Sequence, residues 1–570
     1  MRKKALFISL SAMLTLCSCQ KEPEPVKVTA VTLNVTSLSL TEGETGTISA
    51  TVIPSNADNQ KVLWSTDSPD IATVSDGVVT AVKEGEATIT ATSDDGGKTA
   101  TCTISVKAKE IENPFAITSV GSTSVSIIKV GNPEDITLEY RKGTESWNAY
   151  TIGSPIDLAD GEYVQFMAGE GGNANFSRDY ENYYNVGVSG SGTVKVSGNI
   201  MSLLDRAENR TVMPVCSFYY LFFRCSSLVD AGELVLPAGT LPMGCYYSMF
   251  YGCKSLTKTP ELPAVSLADY CYSYMFMGCI SLTEAPELPA TSLKECCYTN
   301  MFSGCRSLTK APELPATILA KACYDSMFSG CTSLTEAPEL PAVSLANYCY
   351  SQMFSRCTSL AEAPELPATS LAENCYSQMF SGCASLAEAP ELPATSLVKN
   401  SYNNMFLNCT SLAEAPELPA TTLAESCYNY MFSGCTSLTK APELPATSLA
   451  FRCYSFMFSG CTSLTEAPAL PATSLAEQCY SQMFSRCTSL IKAPELPATS
   501  LIKNCYSYMF MNCTGLNYVK ALFTTTPSND YTAGWLSGVS SAGTFVKSKD
   551  ATWDRDACGI PEGWTVVNDY

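Results

Sequence analysis

The chain has 570 residues, of which 46% are hydrophobic and 16% charged, and its 35 Lys+Arg against 55 Asp+Glu give a formal net charge of −20. This apolar fraction is typical of folded globular chains, and the acidity disfavours nucleic acid or an anionic membrane surface as an electrostatic partner. Histidine is absent, which excludes Ser-His-Asp and Cys-His nucleophiles, histidine zinc sites and imidazole general bases.

The N-terminus has the pattern of an export signal. Basic residues at 2–4 precede an apolar run at 5–16, which is too short to span a bilayer and is typical of a secretory signal. Residues 16–19, Leu-Cys-Ser-Cys, resemble the lipobox of bacterial lipoproteins. Cys19 fits the acceptor position better than Cys17, since bulky Leu16 would otherwise lie just before the cut.

This resemblance implies a signal peptide over residues 1–18, a lipidated Cys19 and attachment to the outer membrane. Residues 19–26 are then a polar, proline-rich tether. Lys21-Glu22 resembles the surface-export tags of some anaerobic Gram-negative bacteria, which implies display on the cell exterior. The alternative is an ordinary spacer that faces the periplasm.

Residues 27–108 alternate apolar and polar positions in short runs separated by turn residues, which predicts a β-sandwich with Trp64 in its core. The predicted strands cover residues 31–35, 46–52, 62–66, 87–92 and 101–106. The run from Leu63 to Val74, followed by Gly77-Val-Val-Thr-Ala, resembles the bacterial Ig-like group 2 domain, which implies a spacer or adhesive module. The lone Cys102 is interpreted as a small buried residue.

Residues 113–200 predict a second β-rich module, with strands at 124–128, 136–140 and 163–167. Its aromatic residues beside polar loops leave two interpretations. Trp147 and Tyr150 are candidates for stacking on a sugar ring, and burial in the core is the alternative that aromatic residues generally favour.

The rest of the chain is an array of 26-residue units. Glu-Leu-Pro-Ala recurs in this register, and most units also carry Cys-Tyr-x-x-Met-Phe-x-x-Cys-x-Ser-Leu. The apolar positions of Cys-Tyr-x-x-Met-Phe-x-x-Cys span about 140° at about 100° per residue, which predicts an amphipathic helix. Ser/Thr-x-x-Glu at 370, 422 and 474 predicts its start, and Gly330, Gly382, Gly434 and Gly460 predict its end.

Met-Phe-x-x-Cys-x-Ser-Leu followed by a short proline-containing segment resembles the BspA-like leucine-rich repeats of bacterial surface proteins. The predicted fold class is therefore multidomain: an Ig-like β-sandwich, a second all-β module, and an α/β leucine-rich-repeat solenoid over residues 210–523. Residues 524–570 are predicted to cap the solenoid.

Two columns hold 21 of the 28 cysteines. Their spacing is wrong for a zinc site, and positions eight apart on a helix are about 12 Å apart, beyond disulfide reach. Ser401 replaces one member of the first column while Cys409 remains in the second. Buried free thiols are the favoured interpretation, and a disulfide ladder between units is the alternative.

The glutamates of Glu-Leu-Pro-Ala are expected to form an exposed column, which is either a binding strip for a basic protein or divalent cations, or a solvated face. Lysines three residues earlier in some units would partly relieve the repulsion. The candidate strip consists of Glu261, Glu287, Glu313, Glu339, Glu365, Glu391, Glu417, Glu443 and Glu495.

These features predict a non-catalytic, lipid-anchored surface scaffold that adheres to a host or bacterial surface protein through its solenoid. They predict no cofactor, no metal site and no nucleic-acid partner. A glycan-binding lipoprotein that uses residues 113–200 is the alternative. An acidic-pair glycosidase is disfavoured, because the carboxylates recur in columns rather than as one pair in a pocket.

Overall fold

A computed structural model describes residues 24–107, 109, 112–206, 212–237 and 239–569. The predicted signal peptide, Cys19 and Lys21-Glu22 lie outside these residues. No helix in the described ranges is long and apolar enough to cross a membrane. The chain divides into two compact units, Met1–Glu110 and Ile111–Tyr570.

The first unit is the predicted Ig-like sandwich. Its strands are β1 Ala30–Leu33, β2 Ser37–Thr41, β3 Thr45–Thr47, β4 Ala50–Ile53, β5 Val62–Thr66, β6 Ala72–Ser75, β7 Val78–Ala81, β8 Gly85–Ser93 and β9 Thr99–Lys107. They form the sheets β2-β9-β8-β5, β3-β7-β6 and β1-β4. The run predicted as one strand at 46–52 is split, because β3 pairs with β7 while β4 pairs with β1.

The core of this unit matches the alternating sequence pattern. Ile48, Val79 and Ile89 are fully buried, and half-buried Trp64 packs against both hydrophobic clusters of the sandwich. Cys102 is fully buried and free, in agreement with its interpretation as a small core residue.

The second unit begins with a β-rich region. Its strands are β10 Ala116–Val120, β11 Thr123–Val130, β12 Leu138–Lys142, β13 Asn148–Tyr150, β14 Ile156–Leu158, β15 Tyr163–Ala168, β16 Tyr183–Gly190, β17 Thr193–Asn199 and, after a 3-10 turn at Ile200–Leu203, β18 Leu228–Val235. They form the sheets β13-β12-β15-β10-β17-β18 and β14-β11-β16.

This region does not form a compact unit apart from the repeats. β17 pairs in parallel with β18, which belongs to the first repeat, and one hydrophobic cluster runs from Phe115 to Trp564. Residues 113–200 and the solenoid were predicted as separate domains, but both lie within one compact unit. The β-rich region covers the apolar end of the first repeat.

The helix predicted for each unit is wrong. In the described residues the only helix is the 3-10 turn at Ile200–Leu203. Each Cys-Tyr-x-x-Met-Phe-x-x-Cys segment instead forms overlapping turns. In one unit, Met379 N–H donates to the Tyr376 carbonyl at 3.2 Å, and Cys383 N–H donates to the Phe380 carbonyl at 3.0 Å.

Alternate amides of the same segments connect neighbouring units. Tyr376, Gln378 and Phe380 donate to carbonyls 25 residues ahead, at 3.2, 2.7 and 3.0 Å. We call this arrangement the turn ladder; in each unit it runs from the residue before the first-column Cys to the second-column Cys. A helix uses its amides within one segment, whereas here half of them hold two units together.

The turn ladder needs a left-handed residue at every fourth position. Asn374 and Gln378 have φ of 57°, and Gly382 has φ of 77°. Glycine and asparagine adopt this conformation most readily. The glycines predicted as helix C-caps are therefore left-handed, but each lies inside a turn ladder and no helix precedes it.

The proline-containing segments form a second contact between units. Residues three before the strip glutamates form parallel bridges, for example Glu284 with Lys310 and Lys310 with Glu336. The predicted capping residues Ser370 and Thr422 form a further bridge column. Longer strands occur only near the ends of the array, within the described residues: β19 Thr240–Leu241, β20 Ser266–Leu267, β21 Lys492–Leu496 and β22 Tyr518–Ala521.

Residues 524–569 continue the stack. β23 Thr544–Ser548 and β24 Thr565–Asp569 extend the parallel sheet in the order β21-β22-β23-β24. Phe510 N–H donates to the Trp535 carbonyl at 2.9 Å, so the turn ladder also reaches this segment. Buried Trp535 donates its indole N–H to the Gly559 carbonyl at 2.9 Å.

Candidate binding surfaces

The Ala-Pro-Glu-Leu-Pro segments of neighbouring units line a shallow groove, which we call the proline groove. It contains cavities of about 840, 610 and 390 Å³. Each cavity lies between consecutive units and is lined by their proline rings, alanine methyls and glutamates, and also by lysines: Lys310, Lys440, Lys492 and Lys520. The segments that line it are 285–289, 311–315, 441–445, 467–471 and 493–497, where residue 469 is alanine in place of glutamate.

All nine residues of the predicted strip are exposed, while the leucine after each is buried, as with Leu288 and Leu314 at 3% exposure. This alternation follows from the extended backbone, in which successive side chains point to opposite faces. The structure therefore brings the strip glutamates onto one face along the proline groove. In the last unit, Glu495 forms an ion pair with Lys520 at 3.3 Å.

The lysines of the neighbouring column lie between glutamates. Lys310 is bridged by Glu284 on one side and Glu336 on the other, and Lys440 lies in the same way between Glu414 and Glu466. Opposite charges on adjacent strands attract, so these lysines offset part of the like-charge repulsion along the groove.

The second cysteine column lies inside the stack. Each thiol from Cys253 to Cys513 donates to the carbonyl of the Phe in the preceding unit, at 2.9–3.1 Å. All cysteines among the described residues are free. These thiols serve as small buried donors that connect one unit to the next.

Burial has a strong effect on these thiols. Desolvation raises the pKa of Cys305 and Cys357 to about 12. A reactive cysteine needs an accessible thiolate, and neither condition holds here. The columns therefore provide no nucleophile. No group of three or more Cys, Asp and Glu side chains in the described part of the chain is placed to hold a metal ion.

Ser401 shows how the first column accepts a hydroxyl. It is fully buried, and its Oγ donates to the Val398 carbonyl at 2.9 Å. The substitution thus leaves no unpaired polar group at this position.

The two candidate sugar-stacking residues are not free platforms. Tyr150 is buried at 8% exposure, and its hydroxyl accepts from Ile127 N–H at 2.9 Å and donates to the Ser154 carbonyl at 2.7 Å. The ring of Trp147 is covered by the guanidinium of Arg141 at 4.5 Å. This geometry favours the core interpretation for Tyr150, whereas Trp147 is half-buried and has Arg141 over its ring.

The groove-lining prolines were not among the residues expected to contribute to a site. Their fixed place beside the strip glutamates could have indicated the groove, because identical rings in stacked units form a continuous surface.

Comparison with known families agrees with this architecture. A family model described as a BspA type leucine-rich repeat region (6 copies) matches residues 243–364, 346–456 and 425–532, which together span just over half of the chain. The chain belongs to the BspA type leucine-rich repeat family. A second model, bacterial Ig-like domain (group 2), matches residues 27–104 of this BspA type protein.

Individual relatives match only short segments. An alpha-L-arabinofuranosidase of Bifidobacterium longum is 33% identical over 130 residues, 23% of this chain and 12% of the relative. A kappa-carrageenase of Pseudoalteromonas carrageenovora is 40% identical over 14% of this chain and 21% of its own. An Ig-like virion protein of Serratia phage KSP90 is 39% identical over 14% of this chain and 32% of its own. This BspA type protein thus spans less than a third of these relatives.

Among solved structures, one titled "Crystal structure of TLR13-ssRNA13 complex" aligns with 60% of this chain and 50% of that chain, at 15% identity and a TM-score of 0.23. A TM-score this low carries no argument about the fold or function of the BspA type protein.

Proposed function

We propose that this protein is a non-catalytic surface lipoprotein whose solenoid binds a macromolecular partner along the proline groove. The observation that supports the proposal is the repetition of exposed glutamates beside proline rings in consecutive units. Such a surface offers many equivalent weak contacts in a line, and their sum gives useful avidity. The two matched families are generally non-catalytic.

The partner proposed for the groove is a protein segment rich in lysine or arginine. Glutamate carboxylates only accept hydrogen bonds, and basic side chains supply the matching donors. The proline rings cannot donate backbone hydrogen bonds, so the groove favours a partner whose side chains, rather than whose main chain, make the polar contacts.

The groove is tested by neutralising two of its glutamates, Glu287→Gln and Glu313→Gln, in the full chain. We expect weaker capture of biotin-labelled host-cell surface proteins by the double variant than by the unchanged protein. The control is Glu84→Gln with Glu86→Gln, which removes the same charge from exposed positions of the Ig-like unit. Equal capture by all three proteins would refute the groove as the contact surface.

The anchor is a separate part of the proposal and rests on the lipobox resemblance at Cys19. Cys19→Ser is expected to abolish labelling by a fatty-acid probe, while Cys17→Ser, the matched control, leaves labelling in place. Unchanged labelling of Cys19→Ser refutes lipidation there. Protease added to intact cells is expected to remove the solenoid, and full protection would contradict outward display.

A further inference from the structure

A second surface of the solenoid has the opposite charge. It is formed by the five-residue segments that follow the Phe of each turn ladder, from residues 223–227 to residues 511–515. The charged residues in these twelve segments are Arg224, Lys254, Arg306, Arg356 and Arg486, and none of the segments contains Asp or Glu. In a chain of net charge −20, this edge is exclusively cationic.

Four of the cations line one cleft, which we call the basic cleft: Arg224, Lys254, Arg306 and Arg356. Its volume is about 660 Å³, its floor includes Gly252, Gly278, Gly304 and Gly330, and no acidic residue lines it. It shares no lining residue with the proline groove.

The cations of the basic cleft are available for a ligand. All four are exposed, and none forms an ion pair within the part of the chain that the structure describes. The glycines between them carry no side chain, so they leave the floor of the cleft open to a ligand. Cations held together without a counter-charge repel each other, and an anionic ligand relieves that cost.

The spacing of the cations suits one class of polyanion. Lys254 and Arg306 hold the same position in units two apart, which corresponds to about 10 Å at about 4.8 Å per unit. Arg356 lies two units further on, two residues earlier within its unit. Nucleic acid carries its charges much more densely, about 3.4 Å apart along each strand, so most of its phosphates would have no cation opposite them in the cleft. A polysaccharide with an anionic group on alternate sugars has the wider spacing.

We propose that the basic cleft binds a linear anionic polysaccharide, with sulfate or carboxylate groups on the guanidinium and ammonium groups of its four cations. Guanidinium groups bind planar or tetrahedral oxyanions with paired hydrogen bonds. This inference goes beyond the proposed function, since it concerns a different surface and a different ligand.

The test measures binding of the full chain to dextran sulfate of low substitution, with about one sulfate on every second glucose, and uncharged dextran is the reference polymer. The unchanged protein is expected to bind dextran sulfate, to release it as salt rises, and not to bind dextran. The variant Lys254→Thr, Arg306→Thr and Arg356→Gly replaces each cation by a residue that other units carry at the same position, which protects the fold. We expect it to bind dextran sulfate at least tenfold more weakly.

The matched control removes three cations from the proline-groove side, Lys310→Gln, Lys440→Gln and Lys492→Gln, and is expected to keep affinity within about twofold, because rim charges far from a ligand are screened. An equal loss of affinity in both variants would overturn the proposal, and so would a failure of the unchanged protein to bind dextran sulfate. Tighter binding of duplex DNA or of anionic lipid vesicles than of dextran sulfate would also overturn it. Failure of the proline-groove test leaves these outcomes unaffected, so the two proposals are distinguishable.

Discussion

The thiol of Cys383 donates to the carbonyl of Phe354, 29 residues earlier and one unit back, at 3.1 Å. The same carbonyl accepts Cys357 N–H at 3.0 Å. One oxygen therefore ends a turn within its own unit and contacts the next. Because this arrangement recurs along the second column, cysteine there is part of the stacking itself.

Cys383→Ala is expected to lower the free energy of unfolding by about 1–3 kcal/mol, since it removes a buried side chain and a donor. Cys383→Ser is expected to cost a similar amount, because the shorter C–O bond moves the donor away from Phe354. The control is Ser401→Cys, which restores the first-column residue and is expected to change stability by less than about 1 kcal/mol. Urea denaturation under reducing conditions measures all three. If Cys383→Ala leaves the free energy of unfolding unchanged, the thiol does not contribute to stacking between units.

The buried thiols predict alkaline sensitivity. Burial raises the pKa of Cys305 to about 12, against about 8.5 for an unfolded thiol, so the folded state retains protons that the unfolded state loses above about pH 8.5. The stability from these thiols is complete below about pH 8.5 and falls as pH rises toward about 12. The urea midpoint should drop between pH 7 and pH 10. An unchanged midpoint, with free thiols confirmed by mass after alkylation in denaturant, would refute this.

A stack of tyrosines runs inside the solenoid, and the hydroxyl of Tyr350 is buried with no hydrogen-bond partner among the described residues. Removing an unsatisfied buried hydroxyl is favourable, so Tyr350→Phe is expected to raise stability by about 1 kcal/mol. Tyr150→Phe is the contrasting variant, because its hydroxyl makes two hydrogen bonds, and it should lower stability. Calorimetry measures the stability of both variants. If Tyr350→Phe were more destabilising than Tyr150→Phe, the Tyr350 hydroxyl would not be unsatisfied.

Arg486 has φ of 64° at a position where Gly460, one unit earlier, has φ of 78°. A left-handed residue with a side chain is strained by about 1–2 kcal/mol, so Arg486→Gly is expected to raise the melting temperature. Gly460→Ala is expected to lower it, although the added methyl would meet only ordinary contacts at 3.7 Å. If Arg486→Gly lowered the melting temperature and Gly460→Ala raised it, side-chain contacts, and not backbone conformation, would determine stability at these positions.

Deletion of residues 349–426 removes three units and keeps the register. Tyr348, with φ of 61°, then takes the place of Ser426, with φ of 55°, so the junction needs no new conformation. Each unit contacts only its neighbours, and the shortened chain is expected to fold and to bind its proline-groove partner less tightly. A folded deletion variant with no binding at all would place a unique site within residues 349–426.

The helix prediction failed because the segment is short. Nine residues with apolar offsets 0, 1, 4, 5 and 8 span about 140° at a period of 3.6, but a period of four confines them to about 90°. The narrower apolar face at a period of four, together with Asn374 and Gly382 at left-handed positions, indicated turns instead of a helix. Residue pattern alone does not show which amides bond to the next unit, and that choice separates a turn ladder from a helix.

The sequence by itself determined the 26-residue register, the burial of the cysteine columns, the exposure of the strip glutamates and the Ig-like sandwich. Each of these depends on a local period or on a recognisable family pattern. Only the tertiary structure decided that half of the turn-ladder amides bond between units, that β17 joins the β-rich region to the first repeat, and that Arg224, Lys254, Arg306 and Arg356 line one cleft. These features arise from contacts between residues distant in the chain, whose geometry no single unit specifies.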